Sequence, residues 1–99
     1  MRAYRVSKKA QEDIRDIGRY TQAQWGREQR RFYLSGLESR FKNLTENPLL
    51  AAERSEFDSP VRIHRYEKHV IVYIVQDGGI LIIRVLHESM DVPTRLSSD

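Results

Sequence analysis

The sequence predicts an α+β fold, because its first half has a helical hydrophobic pattern and its second half a strand pattern. Apolar residues recur at helical spacing between residues 8 and 47, whereas alternation with period two dominates residues 61–87. The pair Asp77-Gly78 is typical of a tight turn between antiparallel strands. We therefore expect a short N-terminal strand, an antiparallel helical hairpin and a three-stranded antiparallel meander packed under the helices.

The first elements are a strand and a capped helix. Residues 2–6 alternate and carry β-compatible side chains, which predicts an edge or near-edge strand. Ser7 offers a hydroxyl oxygen to a free backbone N–H of the next turn, as an N-cap residue does. The apolar residues that follow at helical spacing are Ala10, Ile14 and Ile17. Helix one is predicted over residues 8–25, because Gly26 can adopt the left-handed conformation that ends a helix.

A second helix and a connector follow. The apolar residues of helix two are Tyr33, Leu37, Phe41 and Leu44. Pro48 disfavours the α conformation at Asn47 and so ends the helix there. Because the joint at Gly26 is short, the two helices should be antiparallel neighbours. Residues 49–60 show no clear period and form a connector in this interpretation.

The strands are predicted at residues 61–67, 69–76 and 80–87. If Glu67-Lys68 and Asp77-Gly78 are two-residue turns, alternation divides the side chains between two faces. The aliphatic face carries Val61, Ile63, Val70, Val72, Ile74, Leu81, Ile83 and Val85. The mixed face carries Arg62, His64, Tyr66, His69, Ile71, Tyr73, Ile80, Ile82, Arg84 and Leu86. We expect the aliphatic face to pack against the helices and the mixed face to be open and functional.

Size and composition limit the classes of function. A chain of 99 residues is expected to be one domain, residues 1–99, without separate cofactor and substrate domains. It has no Cys, and residues 1–20 lack the apolar core of a signal peptide, so the cytoplasm is the expected location. The apolar run 70–86 is interrupted by polar residues and glycines, which favours a hairpin over a membrane span.

The net charge of +3 is unevenly distributed. Residues 1–50 carry 11 Lys and Arg against 6 Asp and Glu, whereas residues 51–99 carry 6 against 8. A basic helical half can attract nucleic acid or an acidic protein segment. The more common explanation of mixed charges on amphipathic helices is a solvated face.

A specific order of residues extends over nearly the whole chain. It consists of Ala10, Asp13-Ile14, Ile17, Tyr20, Trp25-Gly26, the apolar residues of helix two, Pro48 and the ending RVLHESMD from Arg84 to Asp91. From about Tyr4 to Asp91 the chain resembles the ParE toxins of bacterial toxin–antitoxin systems, within the RelE/ParE superfamily. The resemblance implies a toxin that poisons DNA gyrase and a cognate antitoxin whose C-terminal segment wraps it. It also implies action by binding, with no catalytic residue and no cofactor.

Two sets of binding residues are expected. Candidates for target binding, on the mixed face and at the C-terminal end, are Arg62, His64, Tyr73, Arg84, His87, Met90 and Asp91. Arg84 should matter for target binding more than for folding, although an ion pair with Glu88 or Asp91 is the alternative. Candidates for antitoxin binding, near the helical joint, are Tyr20, Trp25, Phe32, Tyr33 and Leu37. For Trp25 and Tyr33, core packing is the favoured interpretation. No direct sequence-specific DNA binding is expected.

Two other functions stay open. A ribosome-dependent nuclease of the RelE type would use Arg62 and Arg84 as cations and His64 or His87 for proton transfer. No Tyr follows Tyr73, and no Lys lies between Pro48 and Arg62, so the chain departs from the RelE pattern. A pure interaction module would use the same surfaces without toxicity. No metal site is expected, since Cys is absent and His87 is predicted on the face opposite His64 and His69.

Overall fold

The computed structural model describes residues 3–55 and 60–97. In chain order its elements are β1 (Ala3–Val6), α1 (Lys8–Trp25), α2 (Arg27–Glu46), β2 (Glu53–Arg54), β3 (Val61–Tyr66), β4 (His69–Gln76), β5 (Gly79–His87) and α3 (Val92–Ser97). The predicted α+β fold with its N-terminal strand, helical hairpin and meander is confirmed. Helix α3 was not predicted, and β2 lies within the expected connector. Arg2 of the predicted first strand and residues 56–59 of the connector lie outside the described residues.

The predicted helix boundaries are confirmed by their capping contacts. The Ser7 hydroxyl accepts a hydrogen bond from the Ala10 N–H at 3.0 Å, which satisfies one free donor of the first turn. Gly26, at φ 92°, separates the helices, and its N–H donates to the Gln22 carbonyl. Helix α2 ends with Asn47 as its C-cap, immediately before Pro48.

The described strands form one sheet in the order β1-β5-β4-β3-β2. The pairs β2–β3, β3–β4 and β4–β5 are antiparallel, whereas β1 lies parallel to β5 at the edge of the sheet. Strand β1 pairs only with Gly79 to Ile82 of β5. The chain then leaves the sheet to begin α1, so the later part of the β5 edge needs other hydrogen-bond partners.

Both predicted tight turns are confirmed, but β5 contains a bulge. Val72 is paired with Arg84 and Tyr73 with Ile82, which leaves Ile83 as an extra residue in β5. The extra residue reverses the alternation that follows it. Val85 therefore joins the mixed face, while Arg84 and Leu86 join the aliphatic face. The predicted placement of these three residues was wrong, because the turns fix register only as far as the bulge.

The mixed face, not the aliphatic one, packs against the helical hairpin. The core joins Leu37, Phe41 and Leu44 of α2 to sheet residues that include Ile71, Tyr73, Ile82 and Val85. The assignment of faces from the sequence was therefore wrong. The large side chains of the mixed face fill the space under the helices, and the Tyr73 hydroxyl donates to the Pro48 carbonyl at 2.9 Å. A buried polar group with a partner is compatible with a core.

Candidate functional site

A pocket lies where the helical joint meets the end of the sheet. Its volume is about 360 Å³. This pocket is here called the joint pocket. It is lined by Tyr20, Thr21, Trp25, Gln29, Tyr33, Lys68, His69, His87 and Glu88. Three of the residues expected to bind an antitoxin line this pocket: Tyr20, Trp25 and Tyr33. One residue expected to bind the target, His87, lines it as well.

Two exposed aromatic rings form one side of the joint pocket. Tyr20 and Trp25 of α1 are 60% and 64% exposed, and their ring centroids lie 6.0 Å apart in an edge-to-face arrangement. Core packing is therefore wrong as an explanation of Trp25. Two large aromatic groups left in water at the mouth of a pocket are characteristic of a protein interaction surface.

The floor of the joint pocket is built from Tyr33 and two histidines. The Tyr33 hydroxyl and His69 Nδ1 share a hydrogen bond of 2.6 Å. His69 is paired with His87 across β4 and β5, and their ring centroids lie 5.4 Å apart. The prediction that these two histidines occupy opposite faces was wrong, because the bulge at Ile83 moves His87 to the helix-packed face. Tyr33 also packs on Tyr66, which agrees with its core-packing alternative.

Burial controls the protonation of Tyr33 and His69 in this floor. It raises the pKa of Tyr33 to about 12. Burial, followed by the neighbouring His87, lowers the pKa of His69 below the ordinary value. Both groups are therefore neutral near pH 7. An apolar side chain that enters the pocket would not have to desolvate a charge on Tyr33 or His69.

The rim of the joint pocket is polar. Glu88 forms an ion pair with Arg65, and its N–H donates to the Lys68 carbonyl at 2.8 Å. Glu88 is thus paired with a neighbour, while Lys68 adds a positive charge to the mouth. An apolar group flanked by a carboxylate fits this combination of neutral Tyr33 and His69 in the floor with Lys68 at the rim.

Three candidates for target binding lie on the helix-packed face instead of an open one. Arg62 Nη1 donates to the Ala51 carbonyl at 2.6 Å, and Tyr73 is buried under the connector. His64 Nε2 lies 3.1 Å from Arg40 Nη1, and burial followed by Arg40 lowers the pKa of this histidine. These contacts hold the connector and α2 on the sheet, so the expected open surface is absent at these three residues.

Arg84 is buried in an ion pair that the sequence did not reveal. Its Nε and Nη2 donate to the Asp13 carboxylate at 2.8 and 3.0 Å, and its Nη1 donates to the Arg95 carbonyl at 3.2 Å. The expected exposure of Arg84 was wrong, and so were both alternative partners, Glu88 and Asp91. Asp13 also accepts from the Val85 N–H at 2.9 Å, which satisfies the β5 edge beyond β1. The sequence offered one signal of this ion pair, because Asp13 is a carboxylate between Ala10 and Ile17 on the apolar side of helix one.

The other candidates occupy different surroundings. Met90 and Asp91 are exposed after β5, and the Asp91 carboxylate accepts from the Thr94 hydroxyl at the start of α3. Phe32 is exposed, but it lines a separate shallow depression on α2. Leu37 is buried in the core and does not line the joint pocket.

Residues 3–55 and 60–97 contain no group of three or more His, Asp or Glu side chains that could hold a metal ion. None of the helices there is both long and apolar enough to cross a membrane.

Comparison with known proteins gives consistent results. A family model described as "ParE toxin of type II toxin-antitoxin system, parDE" matches residues 4–92. The chain is 35% identical to Toxin ParE of Escherichia coli, over 98% of this chain and 95% of that protein. It is 32% identical to Toxin ParE1 of Caulobacter vibrioides, over 97% and 99% of the two chains. A solved structure titled "Chromosomal ParDE TA system from P. aeruginosa" shares the fold, with a TM-score of 0.74, 21% identity and coverage of 88% and 96%.

Proposed function

The chain belongs to the ParE toxin family of type II toxin–antitoxin systems, and from this premise we propose that it blocks replication by binding DNA gyrase until a cognate antitoxin covers it. The observation that carries the proposal is the joint pocket, a largely apolar cavity with two exposed aromatic rings, in which Tyr33 and His69 are neutral near pH 7. Gyrase acts on the chromosome, so the proposed site of action is the cytoplasm. No cofactor is required for inhibition by binding.

The arrangement of polar groups supports binding over catalysis. The His69 and His87 rings contact each other, so they do not flank a gap in which a phosphate could react. Tyr33, whose pKa is raised to about 12, stays protonated near neutral pH and is therefore a poor proton acceptor. Arg62 and Arg84 lie on opposite faces of the sheet, and Arg84 is occupied by Asp13. The cations that a RelE-type nuclease would need on one phosphate therefore do not converge.

We assign antitoxin binding to the joint pocket. An amphipathic antitoxin segment would insert a large apolar side chain between Trp25 and Tyr33, as anchor residues do in pockets at protein interfaces. Acidic residues on the same segment would face Lys68 and the basic helical half of the chain. Phe32, on the other side of α2, would contact a segment that continues around the hairpin.

We assign gyrase binding to the C-terminal end of the sheet. His87 borders the joint pocket, and Met90 and Asp91 are exposed beside it. An antitoxin seated in the pocket would then cover part of the gyrase-binding surface directly. Arg62, His64, Tyr73 and Arg84 would contribute by holding the sheet and the connector in place.

The antitoxin proposal is tested by co-expression with the protein encoded beside this chain. A bound antitoxin should raise the melting temperature through mass action, and the complex should survive gel filtration. Truncation of an anchor residue typically costs about 2 kcal/mol or more, so Trp25→Ala should weaken the complex by about 30-fold. Leu49→Ala removes an exposed apolar side chain from the connector and is the matched control. Absence of a complex, or equal losses in both variants, would contradict the assignment.

A further inference from the structure

We propose that a groove between the two helices binds the phosphate backbone of nucleic acid. The groove, here called the arginine groove, has a volume of about 530 Å³ and is lined by Gln22, Arg27, Arg30, Arg31 and Leu34. It shares no lining residue with the joint pocket. The proposal therefore rests on residues other than those that line the joint pocket.

Arg30 is held in place before any ligand binds. Gly18 of α1 is buried, and a Cβ atom there would lie 3.0 Å from Arg30 Nε, so the absence of a side chain lets Arg30 lie across the helix. Arg30 Nη1 also donates to Gln22 Oε1 at 2.7 Å. A guanidinium that is already ordered loses less side-chain entropy when a ligand binds.

The other two guanidinium groups are positioned by the helix itself. Arg27, Arg30 and Arg31 have the spacing i, i+3, i+4, which places their side chains on one side of α2. Among residues 3–55 and 60–97, no Asp or Glu lines the groove. Glu28 lines the neighbouring depression beside Phe32, to which Arg31 also contributes. Three positive charges with no acidic lining residue create a local positive potential.

The chemistry of the lining favours phosphates over an amphipathic protein segment. Leu34 is the one apolar residue that lines this groove in the described part of the chain, whereas an amphipathic helix needs an apolar stripe to bury. Arginine forks match phosphate oxygens in bidentate geometry. Three arginines along a groove fit a polymer with repeated phosphates better than a single anion. Gln22, whose amide oxygen accepts from Arg30, is the sole uncharged polar residue that lines the groove among those the structure describes, so we expect contacts to the nucleic-acid backbone without sequence preference.

The test is the salt dependence of binding to a fluorescein-labelled random-sequence DNA duplex, measured by anisotropy with the purified 99-residue chain. Each phosphate contact contributes about 0.9 to the slope of log K against log salt. In the triple variant Arg27→Gln/Arg30→Gln/Arg31→Gln, the slope of log K against log salt should therefore be smaller in magnitude by about 2.7 than in the wild type. Between about 50 and 200 mM salt, the wild type should lose about 40-fold more affinity than this variant.

A matched variant separates the groove from net charge. Lys8→Gln/Lys9→Gln/Lys42→Gln removes the same charge from exposed helix positions outside the groove, and it should keep most of the slope. Because Arg30 packs on Gly18, the triple groove variant can lose stability. The double variant Arg27→Gln/Arg31→Gln changes exposed residues alone and should lose about 1.8 of the slope.

Three results would overturn the proposal. The first is a duplex affinity too weak to measure at about 50 mM salt, and the second is an equal loss of slope in the groove and lysine variants. The third is competition by poly-L-glutamate, at equal charge, as strong as competition by unlabelled duplex. That result would assign the arginine groove to an acidic protein segment. Loss of slope confined to the groove variants, with weak competition by poly-L-glutamate, would support phosphate binding.

Discussion

Asp13 connects three elements through one carboxylate. It lies on α1, accepts from the β5 backbone at Val85 and binds Arg84, which in turn donates to a carbonyl of α3. The side chains of Asp13 and Arg84 are only 13% and 10% exposed. Removing one member of a buried pair leaves the other charge without its partner, which is usually more costly than losing the pair itself.

Asp13→Ala should therefore lower the free energy of unfolding by about 3–5 kcal/mol. Arg84→Ala should lower the free energy of unfolding by a similar amount. Replacing an arginine on an open face of the sheet would lower it only slightly. The control is Asp16→Ala, which removes an ion pair with Arg19 whose side chains are 72% exposed, and it should change stability by at most about 1 kcal/mol. Urea denaturation measures all three. Equal effects at Asp13 and Asp16 would refute the structural role of the buried pair.

The lowered pKa of His69 in the joint pocket predicts a pH dependence of stability. Burial holds the pKa of His69 in the folded chain below its ordinary value of 6.5. As pH falls, the unfolded chain takes up this proton first, so the free energy of unfolding should decrease below about pH 6.5. His64 contributes in the same direction.

Denaturation at about pH 7.5 and about pH 5.5 measures this effect, and His69→Gln is the comparison that isolates it. The wild type should lose more stability between the two pH values than the variant does, because glutamine does not titrate. An equal or larger loss in His69→Gln would show that His69 is not the group responsible.

At the residue scale, local sequence signals were sufficient to predict the helix ends but not the ion pair between distant residues. Ser7, Gly26 and Pro48 act within a few residues of their positions, and each ended or began a helix as predicted. Asp13 and Arg84 are 71 positions apart, so no local pattern connects them. The apolar neighbours of Asp13 were a usable signal, because a carboxylate on the buried side of a helix requires a partner.

The packing of α2 on the sheet depends on a glycine. A Cβ atom at Gly36 would overlap the Tyr66 hydroxyl and lie 3.0 Å from Tyr66 Cζ. That hydroxyl donates to the Tyr33 carbonyl at 3.2 Å. Gly36 thus allows β3 and α2 to approach beside the joint pocket.

Gly36→Ala should lower the free energy of unfolding by about 1–3 kcal/mol through overpacking, although alanine is the better helix former by about 1 kcal/mol. Tyr66→Phe removes the overlapping oxygen, so the double variant should be more stable than the sum of the two single changes predicts. A double-mutant cycle by thermal denaturation measures the coupling. Additive effects would show that the two residues do not limit the approach of α2.

At the element scale, the hairpin and the meander were predictable, whereas the packed face was not. Residues 61–76 carry the predicted alternation, because turns at Glu67-Lys68 and Asp77-Gly78 fix it. One bulged residue, Ile83, then reverses the remainder of β5. The choice of face failed for a different reason: Tyr66 and Tyr73 appeared polar in the sequence but are core residues with satisfied hydroxyls.

At the scale of the whole molecule, the helical hairpin carries two separate surfaces. The joint pocket faces the end of the sheet and is largely apolar, whereas the arginine groove is basic and involves the helices alone. The division of charge between the two halves of the chain was visible in the sequence, and so was the aromatic cluster near Trp25. Their separation into two surfaces was not, because it depends on how α1 and α2 pack.

The central claim, inhibition of gyrase by binding, is tested by supercoiling of a relaxed plasmid with purified gyrase and the purified chain. Relaxation of the same plasmid by topoisomerase I is the control for DNA binding alone. We expect supercoiling to stop, relaxation to continue, and the antitoxin to restore supercoiling, while messenger RNA in a translating extract stays intact. Unimpeded supercoiling together with codon-position-specific cuts in ribosome-bound RNA would contradict the account and identify a nuclease instead.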